Sequence, residues 1–109
     1  MRYVGAKRVE RAELVRALAT ADPHVVCQAL VDAAFFDTDA AWVTERCLAL
    51  AGAADSDIAN AAIICLGHVA RIHRCIDARV VPMLVAAQRE ERTKVTAGYA
   101  LDDIRMFAK

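Results

Sequence analysis

Cys65, His68, His73 and Cys75 place two thiols and two imidazoles within eleven residues, the donor types that hold zinc in a tetrahedron. Cys65 and His68 share a helix face at i and i+3, but His73 and Cys75 fall at or beyond the end of that helix. Cys65 is also in phase with the apolar Ile58, Ala62 and Val69, so its thiol belongs to a core stripe. No metal and no other cofactor is expected. A second pairing sets His68 against Asp102 or Asp103, one repeat further on. An imidazole held by a carboxylate is half of a catalytic dyad. No nucleophile accompanies it, because Ser56 is the only serine and no Gly-x-Ser-x-Gly elbow surrounds it. The expectation is therefore an inter-repeat strut in which a carboxylate raises the His68 pKa, not an enzyme.

Helices must position these residues, and the helices repeat. Asp22-Pro23-His24-Val25 returns thirty-three residues later as Asp55-Ser56-Asp57-Ile58, each opening an alanine-rich apolar segment. A period near 33 with helix signals in both halves predicts stacked helical hairpins. Six helices follow: about Val9–Thr20, Pro23 to Phe35 or Phe36, Asp39–Ala51, Asp57–Ile72, Asp77–Gln88 and Arg92–Phe107. Asp22, Asp55 and Asp57 read as caps, with Pro23 at the first helical position, where its missing donor costs nothing. Pro82 sits five residues after the expected cap Asp77, which demands an irregular first turn or a bend. The fold class is all-α, a right-handed superhelix of the HEAT-like solenoid type. One domain over 1–109 holds three hairpins, at about 8–36, 39–73 and 77–108.

With 58% hydrophobic residues, well above the average of roughly 45–50%, the chain is not disordered. Only 6% is aromatic, and small side chains suit close helix approach. No apolar run nears the ~20 residues needed to span a bilayer. Met1–Arg16 lacks the apolar stretch of a secretion signal, so a soluble cytoplasmic protein is expected. Cys27, Cys47 and Cys65 read as reduced, buried thiols, and Cys75 forms no Cys-x-x-Cys pair with them.

Net charge is zero but unevenly spread: residues 1–21 carry +3, residues 22–69 carry −6, and residues 70–109 carry +3. An acidic middle repels nucleic acid and steers basic proteins toward it. Lys7-Arg8 with Arg11 and Arg16 is too short and mixed for a nucleic-acid site, and the four glycines form no phosphate loop. Trp42, beside Glu45 and Arg46, reads either as packing between first helices or as an interface anchor. Of Phe35 and Phe36, one is expected to face the core.

Three stretches together are distinctive: Cys65-Leu66-Gly67-His68-Val69-Ala70-Arg71-Ile72-His73, then Asp77 with Val80-Val81-Pro82-Met83-Leu84, then Ala100-Leu101-Asp102-Asp103-Ile104-Arg105-Met106-Phe107. They resemble a group of short bacterial HEAT-like proteins that act as immunity proteins of contact-dependent growth inhibition and other polymorphic toxin systems. The chain departs from that pattern at Gly98-Tyr99, where the group carries an acidic pair. The resemblance implies an antitoxin that binds the C-terminal domain of a cognate toxin, commonly a nuclease, and blocks its cleft. The expected contacts are Asp32, Asp37, Asp39, Trp42, Glu45 and Asp57, with His68, Arg71 and Asp103 if the second helices form the contacted surface. The expected partner is that toxin domain, with a basic cleft, and neither nucleic acid nor membrane; the chain itself is a monomer or weak homodimer. The alternative is a scaffold or adaptor for another cytosolic complex.

Overall fold

The computed structural model describes residues 8–20 and 22–108. Among these residues there are six helices and no strand: α1 Arg11–Leu18, α2 Pro23–Phe36, α3 Ala40–Leu50, α4 Ser56–His73, α5 Val80–Ala87 and α6 Lys94–Phe107. Three aspartates fix where helices begin, each accepting a hydrogen bond from an otherwise orphaned backbone amide. Asp22 takes the amide of His24 at 3.0 Å, Asp39 that of Trp42 at 3.1 Å, and Asp55 that of Ile58 at 3.0 Å.

Two of the expected caps fall elsewhere. Asp57 lies inside the first turn of α4, because Asp55 already serves as the cap. Asp77 does not cap α5. Its carboxylate accepts from the Arg79 amide at 2.8 Å and closes a turn, which delays the helix to Val80. Pro82 is thereby the third helical residue, in the first turn, where its missing N–H has no carbonyl to serve. The irregular first turn is thus the solution taken, not a bend. Helix α1 is also shorter than expected, and only Leu14 of its stripe is buried while Val15 stands in solvent.

Each odd-numbered helix packs on its successor, and α4 packs in addition on both α2 and α6. The result is a superhelix of hairpins in two layers, with α1, α3 and α5 on one side and α2, α4 and α6 on the other. Leu30, Ile63, Leu66 and Leu84 fill the interior between layers, each without solvent exposure. Ala59, Ala61, Ala62, Ala70, Ala97 and Ala100 let the second-layer helices approach closely. Gly67 marks the tightest point. A β-carbon there would stand 3.3 Å from Ala100 Cα and 2.9 Å from an Asp103 carboxylate oxygen, so α6 rests almost on the α4 backbone.

Polar clasps close the stack. The Asn60 side-chain amide donates to the carbonyls of Ser56 (2.9 Å) and Arg92 (3.0 Å), tying the α5–α6 connection to the start of α4. Buried Thr93 donates its hydroxyl to the Ala87 carbonyl at 2.7 Å. No helix among the described residues is long and apolar enough to cross a membrane.

Candidate functional site

The acidic residues of the first-helix layer are engaged within the chain. Arg11 of α1 reaches Asp37 at 2.7 Å and Asp39 at 3.7 Å, and its guanidinium lies 4.3 Å from the Trp42 ring centroid. Asp37 also accepts from the Asp39 amide at 2.8 Å. One arginine thus binds α1 to the α2–α3 turn and to α3. Trp42 is half-buried beneath it, as packing between first helices requires. On the other flank, Arg79 bonds Glu45 of α3 and also Asp77 at 2.9 Å. That contact holds the Asp77 carboxyl down to about 2, chiefly through the hydrogen bonds donated by Arg79. The basic ends of the sequence therefore neutralise part of its acidic middle, and the segregation of charge is in part internal complementarity. Exposed pairs of this kind contribute little individually, more where they share a network.

Asp32 does not stand on the surface. It is 4% exposed and accepts a hydrogen bond from Gln28 at 3.0 Å, one turn earlier, so its carboxylate is not offered to a partner in this conformation. Asp57 is exposed, with its carbonyl taking the Cys27 thiol at 3.4 Å.

The second-helix layer differs. His68 of α4 meets the Phe35 ring of α2 at a centroid distance of 4.9 Å, and an Arg71 N–H points at His68 Nδ1 from 2.5 Å. A guanidinium is always a donor, so Nδ1 accepts and the imidazole is neutral with its proton on Nε2. Burial lowers the His68 pKa first, the Arg71 charge lowers it further, and Asp103 opposes both only weakly. The expected strut is thereby overturned. Asp103 sits over Gly67 instead, where the close helix contact places it, and the groups touching His68 are an arginine and an aromatic ring. His68, Arg71 and Asp103 nonetheless form one patch across α4 and α6.

Phe35 and Phe36 are both exposed, against the expectation that one enters the core: Phe35 leans on His68, and Phe36 lies under Arg8 at 5.7 Å. Ile64, Tyr99 and Met106 add exposed apolar surface to the same layer, Tyr99 at 69%. Sequence reasoning passed over these three. For Tyr99 and Met106 the signal was phase: Val95, Tyr99, Asp102 and Met106 recur one helical turn apart, off the stripe of Ala97, Leu101 and Ile104 that is buried.

Cys27, Cys47 and Cys65 are fully buried and meet between α2, α3 and α4. A hydrogen bond with Cys47, with burial after it, pushes the Cys65 thiol well up, so Cys65 is an unreactive core group. Cys75 is exposed and apart from them, and no group of three or more metal-ligating side chains converges among the described residues. A shallow, mostly apolar cleft of about 250 Å³ lies between α3 and the end of α4, lined by Ala40, Thr44, Val69, Cys75 and Asp77 among others. It brings together no acid–base pair.

No family profile and no curated protein matches the sequence. The fold, however, is similar to that of a chain in the crystal structure of the CDI complex from Cupriavidus taiwanensis LMG 19424. The TM-score is 0.87, the likeness covers 100% of this chain and 99% of that one, and 28% of residues are identical. The resemblance read from the sequence stands: the chain is built, end to end, like a component of a CDI complex.

Proposed function

We propose that this chain is the immunity protein of a contact-dependent growth inhibition system. It binds the C-terminal domain of a cognate toxin in the cytoplasm, catalyses no reaction itself, and occludes the toxin's active cleft. The reading rests on one observation above the rest, the end-to-end likeness to a component of a CDI complex. The toxin class is carried over from the family resemblance and is a nuclease.

The contact face in this reading is the second-helix layer. Aromatic and aliphatic side chains exposed there beside an arginine are the composition of interface anchors. Asp57, Asp103, His68 and Arg71 supply its polar groups. Asp37, Asp39, Trp42 and Glu45, engaged by Arg11 and Arg79, act as rim groups that set association rate more than affinity.

The test is co-expression with the C-terminal domain of the protein encoded by the adjacent upstream gene. The expected results are a co-eluting complex and rescue of growth in cells that make the toxin. A toxin domain that elutes alone and kills in the presence of this chain overturns the proposal and leaves the scaffold reading in its place.

A further inference from the structure

Arg71 is the one arginine among the described residues that is not exposed; Arg8, Arg11, Arg16, Arg46, Arg74, Arg79, Arg89, Arg92 and Arg105 all stand in solvent. It also makes no ion pair among the described residues, whereas exposed Arg11, Arg79 and Arg105 each hold a carboxylate. A half-buried guanidinium has given up part of its hydration, which is unfavourable without an anion to replace it. Its one side-chain hydrogen bond among the described residues is to the neutral imidazole of His68, which takes one N–H and aligns the group. The other N–H donors of the planar fork remain for an incoming group.

The surroundings fit a seat for a negative charge. Phe35 walls the imidazole on the α2 side, and the exposed Ile64 lies one turn before His68 on α4. The charged groups near His68 are Arg71 on its own helix and Asp103 on α6. Asp103 packs over Gly67 and leaves Arg71 without an ion pair.

We infer that the Arg71–His68 pair, walled by Phe35, receives a carboxylate side chain of the toxin domain at the centre of the interface. This rests on the proposed immunity function and specifies its chemistry: the toxin's face is not uniformly basic but presents an Asp or Glu at this point. The carboxylate accepts two parallel N–H bonds from the guanidinium. Its charge also offsets that of Arg71 at His68, so Nδ1 gains a proton more readily in the complex than in the free protein and then donates it to the carboxylate instead of accepting from the guanidinium.

The experiment measures affinity of the full chain for the upstream-encoded toxin C-terminal domain by calorimetry at pH 6 and pH 8. Arg71→Ala is expected to weaken binding by about 30-fold or more, the range for truncating one partner of a desolvated charge pair. Arg71→Lys keeps the charge without the fork and is expected to recover only part of the loss. Wild-type binding is expected to tighten at pH 6, with proton uptake that His68→Gln abolishes. Thermal melts of each variant confirm folding, and should Arg71→Ala melt early, Arg71→Lys carries the comparison. A toxin domain that binds the wild type tightly yet loses less than 3-fold on Arg71→Ala overturns the seat while the immunity function stands. Equal affinity at both pH values with no proton uptake overturns the carboxylate. A wild-type chain that fails to bind the domain removes the function and the seat together.

Discussion

The two layers of this molecule differ at their central arginines, although the second also holds an exposed Asp102–Arg105 pair on α6. In the α1–α3–α5 layer, Arg11 holds Asp37, Asp39 and Trp42, and Arg79 holds Glu45 and Asp77. In the α2–α4–α6 layer, Arg71 hydrogen-bonds an imidazole and makes no ion pair among the described residues, and Phe35, Ile64, Tyr99 and Met106 face solvent. Charge density alone would select the first layer as the binding face. Under the proposed function, satisfaction points to the second, because a group already paired gains little from a partner, while one left desolvated and unpaired gains much.

The largest effect should come from Gly67, where the second layer is tightest. Gly67→Val places methyl groups against the Ala100 backbone, which cannot rotate away, and should destabilise the fold by about 2 kcal/mol. Urea midpoints measure it, and an unchanged midpoint would mean that the α4–α6 contact yields freely. Next comes Arg11→Ala, which removes two ion pairs and the stack on Trp42. It should cost about 1 kcal/mol of stability while toxin affinity stays within about 3-fold. A large loss of affinity with unchanged stability would erase the contrast between the layers.

The smallest effect is a pH slope. The folded state lowers the His68 pKa, so the unfolded chain binds the proton more readily. Stability should therefore be constant above about pH 6.5, the ordinary histidine value, and fall as pH drops below it until the folded-state value is passed. His68→Asn should flatten that segment between pH 7.5 and 5.5. A slope that survives the substitution assigns it to another group.

Much of the fold was legible because capping and periodicity are local. Asp22, Asp39 and Asp55 each announce a helix from their own type and place, and the alanine stripes show which side is inward. Asp77 misled because an aspartate can serve a turn as readily as a cap, and only the arginine two residues on decides between them. The site was less legible for a different reason. Whether Asp37 is offered to a partner depends on Arg11, 26 residues away in sequence, and nothing local announces that pairing. The same holds for His68: repeat alignment put a carboxylate opposite it, but a glycine at position 67 drew Asp103 onto the backbone beside it.

The central place of α4 has a bearing on how the chain is made. Translation delivers α2, α3 and α4 before α6, so the flank of α4 around Gly67, Ala70 and Leu66 stays bare until the α5–α6 hairpin leaves the ribosome. Glu45 waits as long as thirty-four residues of synthesis for Arg79. A nascent chain halted near residue 75 therefore exposes this apolar flank, and arrival of the α5–α6 hairpin covers it.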